Sequence, residues 1–130
     1  MDVTVVDASA VAAVVFDEPE AAPVMASLRQ AIIAPSLIRY EMASVCAVKL
    51  MRDPRQAKAT LDRYRLFNAL EIEFAEPDWD TLPVLARQWE LTAYDAAYLQ
   101  LALARRAPLV TLDARLAAAY DKAGILPSRR

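Results

Sequence analysis

The segment LTAYDAAYLQLALARRAPLVTLD, residues 91–113, predicts a helix followed by a short buried strand, and each element carries one carboxylate. Asp95 is the only acid of the helix, and the positions at i+3, i+4 and i+7 from it hold Tyr, Leu and Ala, so Asp95 is predicted on the buried face. The strand ends at Asp113, and in an open α/β sheet ligands bind beyond that end of a strand. Because a desolvated carboxylate is costly, both acids need a neutralising partner.

Strands and helices alternate along the rest of the chain. The β-branched run Val3–Val6 predicts a buried parallel strand, and further strands are predicted at 31–34, 70–74 and 109–112. Helices are predicted at 10–16, 21–30, 37–52, 55–68, 77–89 and 114–122, besides the one that holds Asp95. Gly124 is expected to end the last helix, and 125–126 to form a very short fifth strand. The alternation predicts a three-layer α/β/α fold with a parallel sheet.

Composition sets the bounds on the class of protein. A length of 130 residues corresponds to one domain, spanning 1–130, and 57% hydrophobic residues are enough for a full core. No apolar run reaches the roughly 18 residues of a membrane span, and no signal peptide is recognisable. The single cysteine, Cys46, permits no intrachain disulfide and is interpreted as a packing residue. We therefore expect a cytoplasmic protein.

The residue types that are missing exclude several chemistries. The chain has no histidine, which excludes imidazole bases, Ser-His-Asp triads and His-ligated zinc. One glycine is too few for a phosphate-binding glycine loop. Acid chemistry must come from carboxylates, which favour hard cations such as Mg²⁺ or Mn²⁺. A net charge of −2 gives no bulk attraction to nucleic acid, so any contact would need local basic residues. The candidates, which fit solvated surface charge equally well, are Arg39, Lys49, Arg52, Arg105 and Arg115.

The third predicted helix, 37–52, also carries an acid on its apolar side. Leu37, Val45 and Val48 form a stripe, and Glu41 falls in the middle of it. Ser36 is predicted as the N-cap of this helix.

Four acids are therefore candidates for a site: Asp7 at the end of the first strand, Glu41, Asp95 and Asp113. Each also has an ordinary interpretation. Asp7 and Asp113 suit helix N-caps, and Thr92 with Asp95 matches the spacing of a capping box. Glu41 is hardest to explain in this way. Together, two acids follow parallel strands and two lie near the starts of helices at the same edge of the sheet, so all four can converge. Four close carboxylates repel, and a bound divalent cation removes that conflict.

Such a site suits the hydrolysis of phosphodiester bonds, in which metal ions activate a water and stabilise the leaving oxygen. Ser9 and Thr111 are placed to hydrogen-bond the acids or a metal-bound water. They fit equally well as ordinary cap and strand residues.

Four ordered motifs resemble the PIN domain family, and within it the VapC-type toxins of prokaryotic toxin–antitoxin pairs. The motifs are VVDASA at 5–10, YE at 40–41, YDAAYL at 94–99 and VTLDARL at 110–116. The resemblance implies a sheet ordered 3-2-1-4-5 and a Mg²⁺- or Mn²⁺-dependent endoribonuclease. It also implies a VapB-type antitoxin that covers the active-site groove, and commonly a homodimer. By position, the catalytic acids would be Asp7, Glu41, Asp95 and Asp113, with Asp7, Asp95 and Asp113 as metal ligands and Ser9 and Thr111 as supporting hydroxyls.

Two other functions are weighed against this one. Phosphoryl transfer of the HAD type needs a second Asp two residues after Asp7, where this chain has Ser9, and the receiver type needs an acidic pair and a lysine that are missing here. A non-catalytic protein-interaction domain that keeps the PIN fold agrees with the high apolar fraction and with Trp79 and Trp89, which are expected to be exposed. In such a domain the acids should be replaceable.

Overall fold

The computed structural model describes residues 2–28 and 31–125. A four-stranded sheet runs through them, formed by β1 (Val3–Val6), β2 (Ala31–Pro35), β3 (Ile72–Ala75) and β4 (Leu109–Val110). Every strand pair is parallel, and the order is β3-β2-β1-β4. Val5 stands opposite Ile33 of β2 on one side and Leu109 of β4 on the other, so β1 is a central strand. This is the α/β fold with a parallel sheet that the sequence predicted.

Seven helices are described around this sheet: α1 (Ala8–Val15), α2 (Ala21–Ser27), α3 (Ile38–Arg52), α4 (Ala57–Ala69), α5 (Leu82–Trp89), α6 (Ala93–Arg105) and α7 (Ala114–Ile125). A short 3₁₀ turn, Pro54–Gln56, precedes α4. Helix α1 packs on α2, α3 and α4, whereas α6 packs on α5, α7 and the central strands. No helix in the described part of the chain is long and apolar enough to cross a membrane.

Strand β1 is buried on both of its faces. Thr4, Val5 and Val6 are at most 1% exposed, and consecutive strand residues point to opposite faces. Helices must therefore cover both sides of the sheet at this strand, as its continuous β-branched run predicts. The predicted buried face of α6 is confirmed as well, since Tyr98, Leu99 and Ala102 are at most 1% exposed.

The two ends of the C-terminal strand–helix unit differ from the prediction. Strand β4 has two residues rather than four, because the chain leaves the sheet before Thr111 to form the turn into α7. Gly124 does not end α7 but lies within it, and its φ is not positive. Of the proposed fifth strand, Ile125 is the last residue of α7, and Leu126 lies outside the described residues.

Helix α3 presents a different face to the core from the predicted one. Its buried residues are Ile38, Met42 and Cys46, while Val48 is 37% exposed. Both stripes fit a helical period, and tertiary packing selects between them. The N-cap is Leu37 without a side-chain hydrogen bond, because the Ser36 hydroxyl instead donates to Glu76. Cys46 is a buried packing residue, as predicted.

Helix α5 begins at Leu82 rather than near Pro77. The residues between them form a loop that Gln100 of α6 holds by its side-chain amide, which accepts from the N–H of Asp78 and donates to the Asp78 carbonyl and the Thr81 hydroxyl. Of the two tryptophans, Trp79 in this loop is 65% exposed, whereas Trp89 packs against the core. The expectation of an exposed Trp89 is therefore wrong.

Candidate active site

Asp7 follows β1 directly and begins α1. Its backbone is extended, with φ −100° and ψ 174°, and its Oδ1 accepts a hydrogen bond of 3.1 Å from the N–H of Ala10. The side chain thus caps the helix, as one interpretation of the sequence predicted. Asp7 is also only 5% exposed, whereas aspartate side chains mostly lie in solvent.

Two hydroxyls hold the Asp7 carboxylate from opposite sides. Ser9 Oγ donates to Oδ1 at 2.7 Å, and Thr111 Oγ1 donates to Oδ2 at 2.5 Å. Each hydroxyl has one hydrogen, so the 3.4 Å contact between Ser9 and Thr111 adds no further hydrogen bond once both donate to Asp7. The two oxygens accept from the loop after β4, Ser9 from the N–H of Leu112 and Thr111 from the N–H of Asp113. The carboxylate is thereby fixed to both strand ends.

Asp113 lies at the start of α7, and its Oδ1 accepts from the N–H of Leu116 at 3.0 Å. Asp113 is therefore a helix cap in the same way as Asp7. This hydrogen bond occupies one carboxylate oxygen. Among the described residues, none is a hydrogen-bond donor to Oδ2, which leaves that oxygen available to a ligand.

Asp95 is the third residue of α6, and its N–H donates to Thr92 Oγ1 at 3.1 Å. Thr92 therefore caps α6, as one interpretation of the sequence predicted, and Asp95 takes part in this cap through its backbone N–H. Burial raises the pKa of the Asp95 carboxyl, and the negative charges of Asp113 and Asp7 raise it further, while Thr92 and Arg115 lower it. Asp95 is therefore within electrostatic range of Asp113 and Asp7, and it also acts on Glu41.

Glu41 lies in the first turn of α3 and is half-buried. The Tyr98 hydroxyl donates to its Oε1 at 2.5 Å. Burial raises the pKa of Glu41 against this hydrogen bond, and the charges of Asp95 and Asp7 add to the increase. The sequence interpretation assigned Tyr98 only to the apolar face of α6 and missed its hydroxyl. A tyrosine one turn after Asp95 was the available signal, because buried tyrosine hydroxyls need a polar partner.

The four predicted acids come from four different elements and meet at one edge of the sheet. The pKa of Asp7 shows how strongly these surroundings disfavour a charged carboxylate. Burial and the charge of Asp113 raise this pKa, although three hydrogen bonds favour the charged form. Carboxylate oxygens in such surroundings are the donor set that Mg²⁺ and Mn²⁺ prefer. In the described ranges no group of three acidic or thiol side chains is placed so that it could hold a metal ion, so binding would require the carboxylates to move closer together. In donor chemistry and electrostatics the residues fit a hard divalent cation.

Most of the basic candidates are engaged elsewhere. Lys49 forms an ion pair with Glu18 at 3.2 Å and lies over the ring of Phe16. Arg39 lies over the ring of Phe74 on the surface. Arg105 is 3.8 Å from the exposed carboxylate of Glu73. Arg115 is the basic candidate whose charge lowers the pKa of a site acid, Asp95.

A cleft with a volume of about 450 Å³ opens beside the acids. Ser9 and Leu112 form its end at the site, and α3 lines its side with residues that include Lys49 and Arg52. The cleft is open to solvent and mixes polar with apolar surface, and it meets the site through Ser9 and Leu112, since none of the four acids lines it.

Comparison with known proteins places this geometry in a family. The crystal structure of PAE2754 from Pyrobaculum aerophilum superposes with a TM-score of 0.71 over 95% of each chain, at 22% sequence identity. At that identity the likeness concerns the fold alone. No curated protein sequence matches the chain. The family model of the PIN domain, however, matches residues 4–122. The chain therefore belongs to the PIN domain family, whose members are typically metal-dependent nucleases.

Proposed function

We propose that this protein is a Mg²⁺- or Mn²⁺-dependent endoribonuclease that cleaves RNA phosphodiester bonds with Asp7, Glu41, Asp95 and Asp113. The observation that carries the proposal is the convergence of these acids. Three of them have pKa values raised by burial and by one another's charge. A protein that keeps repelling carboxylates together at a strand edge is best explained by a cation that binds them.

The acids divide into two roles. Asp7, Asp95 and Asp113 would bind the metal, which when present supplies charge neutralisation and an activated water. Glu41, whose pKa is raised, would complete the shell around the metal and is suited to orient the attacking water and to accept its proton. Ser9 and Thr111 favour the charged form of Asp7 and orient it by donating to both of its oxygens.

The cleft beside Ser9 and Leu112 would hold the RNA. Its volume and open shape suit a single strand or a loop rather than a duplex, because single-stranded bases can lie along a protein groove. Arg52, which lines this cleft, and Arg115, whose charge lowers the pKa of Asp95, would contact backbone phosphates.

The motif resemblance further supports a role as the VapC-type toxin of a toxin–antitoxin pair, acting in the cytoplasm as a single domain. A VapB-type antitoxin and a second copy of the chain would then be its protein partners. Exposed apolar side chains on α3 agree with such contacts, since Tyr40 is 83% and Met51 72% exposed.

The test is cleavage of a panel of structured RNAs by purified protein with Mn²⁺, with Mg²⁺ and with EDTA. Wild-type protein should cut only with metal, and Asp95→Asn should not cut. Asp121→Asn, which removes an exposed acid of α7, is the matched control and should cut like wild type. Equal cleavage by wild type and Asp95→Asn would refute the proposed site.

A second candidate function is a protein-interaction domain without catalysis. The exposed apolar residues of α3 favour it as much as they favour the toxin. It predicts that substitution of the four acids leaves partner binding and every cellular effect unchanged, whereas the nuclease loses its effect on growth when Asp95 is replaced.

A further inference from the structure

Tyr98 connects three of the elements that build the site. Its side chain rises from α6, one turn after Asp95, and is 1% exposed. The hydroxyl donates to Glu41 Oε1 at 2.5 Å, and the backbone N–H of Ala8, next to Asp7, acts to lower the pKa of this hydroxyl. A single buried atom therefore lies between α6, α3 and the start of α1.

The hydrogen bond from Tyr98 can have only one direction. Burial and the carboxylate of Glu41 raise the pKa of the hydroxyl far above its usual range, so the hydroxyl keeps its proton and donates it. Glu41 in turn receives no other hydrogen bond from the described residues, and no described cation pairs with it. Its charged neighbours are Asp95 and Asp7, which repel it.

A glutamate side chain has three rotatable bonds and would otherwise turn away from these like charges. The tyrosine has a rigid ring that the core holds in place. The hydrogen bond uses Oε1, and none of the described residues donates a hydrogen bond to Oε2.

We propose that Tyr98 is the positioning residue of the active site, which holds Glu41 in place for a divalent cation and the water at that cation. The inference rests on the proposed function, because it presupposes that the acids bind metal. Tyr98 itself touches neither metal nor substrate and acts through Glu41.

The experiment measures Mn²⁺ binding by calorimetry, without RNA, on a double-mutant cycle of Tyr98→Phe and Glu41→Gln. Loss of a residue that orients a metal ligand typically weakens binding by about 10- to 100-fold, and we expect Tyr98→Phe to raise the Kd for Mn²⁺ by roughly 10-fold. In the Glu41→Gln background the same substitution should change the Kd by less than about 2-fold, because the residue through which it acts is already neutral.

Tyr120→Phe is the matched control. The Tyr120 hydroxyl donates to the Ala107 carbonyl at 2.9 Å, so this substitution also removes a half-buried hydroxyl and its hydrogen bond, away from the acids. It should leave the Kd for Mn²⁺ unchanged. A tyrosine with a purely structural role would behave like Tyr120, with lower stability and an unchanged Kd, and that result for Tyr98 would overturn the inference.

A second measurement needs no Tyr98 variant and decides the question even if Tyr98→Phe does not fold. In wild-type protein with ¹³C-labelled tyrosine rings, titration with Mg²⁺ should shift the Tyr98 resonance along the binding curve and leave that of Tyr120 in place. Glu41→Gln should abolish the shift. A Tyr98 resonance whose chemical shift does not change as Mg²⁺ binds would overturn the inference and leave the proposed nuclease function intact. Wild-type protein that binds neither ion would refute both.

Discussion

Thr111 donates its hydroxyl to Oδ2 of Asp7 at 2.5 Å, although 104 positions separate the two residues. The pairing of β1 with β4 ends with Val6 opposite Val110, and the N–H of Asp7 donates to the Val110 carbonyl at 3.2 Å. The side chains thus continue the strand pairing for one more residue. This contact ties the position of an acid in the site to the stability of the sheet.

Replacing Thr111 by Val should therefore lower both stability and activity. The substitution keeps the shape but removes the donor to Asp7 and the acceptor for the N–H of Asp113. We expect a loss of about 1–3 kcal/mol in the free energy of unfolding, measured with urea, because two partly buried groups lose their partner. Metal-dependent RNA cleavage should fall at the same time.

Ser27→Ala is the control for that substitution. Ser27 Oγ donates to the Pro23 carbonyl on an exposed surface. Its removal should change stability by no more than about 0.5 kcal/mol and leave cleavage unchanged. A Thr111→Val variant as stable and active as Ser27→Ala would show that the Asp7 contact is dispensable.

The pH dependence of stability should report the burial of the Asp95 carboxylate and its repulsion by the neighbouring acids. In the folded protein its pKa is raised above the ordinary value of 3.8, first by burial and then by Asp113 and Asp7. The folded state therefore binds the proton more tightly than the unfolded state, and this contribution is present in full below the ordinary pKa and is lost as the pH rises through the raised one. In EDTA, the stability of wild type relative to Asp95→Asn should decrease from about pH 4 upward.

Asp62 provides the opposite sign within the same protein. A hydrogen bond and the charge of Lys58 lower its pKa from 3.8, so its contribution is present above that value and is lost as the pH falls. The stability of wild type relative to Asp62→Asn should therefore decrease toward acid. If the stability of wild type relative to each variant changed with pH in the same direction for both, the assignment of burial and charge repulsion to the acid cluster would be wrong.

Asp113→Asn separates the capping role of this residue from its proposed metal role. Asn caps helices about as well as Asp, so the metal-free variant should stay within about 0.5 kcal/mol of wild type. Wild type should gain about 2.7 kcal/mol at a Mn²⁺ concentration of about 100 times Kd, and the variant should gain much less at that concentration. Thermal unfolding with and without Mn²⁺ measures both. An equal gain in the two proteins would remove Asp113 from the ligands.

Gln100→Ala tests the loop before α5. The amide makes three hydrogen bonds to Asp78 and Thr81, and its loss should cost about 1–3 kcal/mol and expose the loop to protease. Gln88→Ala, on the exposed side of α5, should do neither. RNA cleavage should persist in both variants, because the loop contributes no acid.

The sequence was informative where local chemistry and burial agree. The run Val3–Val6 predicted the central strand with its observed bounds, and the residues around Tyr98 predicted the buried face of α6. The acids at strand and helix ends were predictable because parallel strands all end at the same edge.

The sequence was less informative where tertiary contacts decide. Two stripes of α3 fit a helical period, and only packing shows that the one with Met42 is buried. The late start of α5 depends on Gln100, which is 22 residues from Asp78 in sequence. The hydroxyl of Tyr98 could not be assigned to Glu41, because the partners are 57 positions apart on different helices.

The position of β1 between β2 and β4 has a consequence for protein synthesis. Asp7 and Ser9 are translated long before Thr111 and Asp113, which complete their surroundings. The central strand gains its second neighbour only when β4 has been translated. A nascent chain therefore carries no complete set of the four acids, and under the proposed nuclease function it would gain activity only after residue 113 has been translated and the sheet has formed.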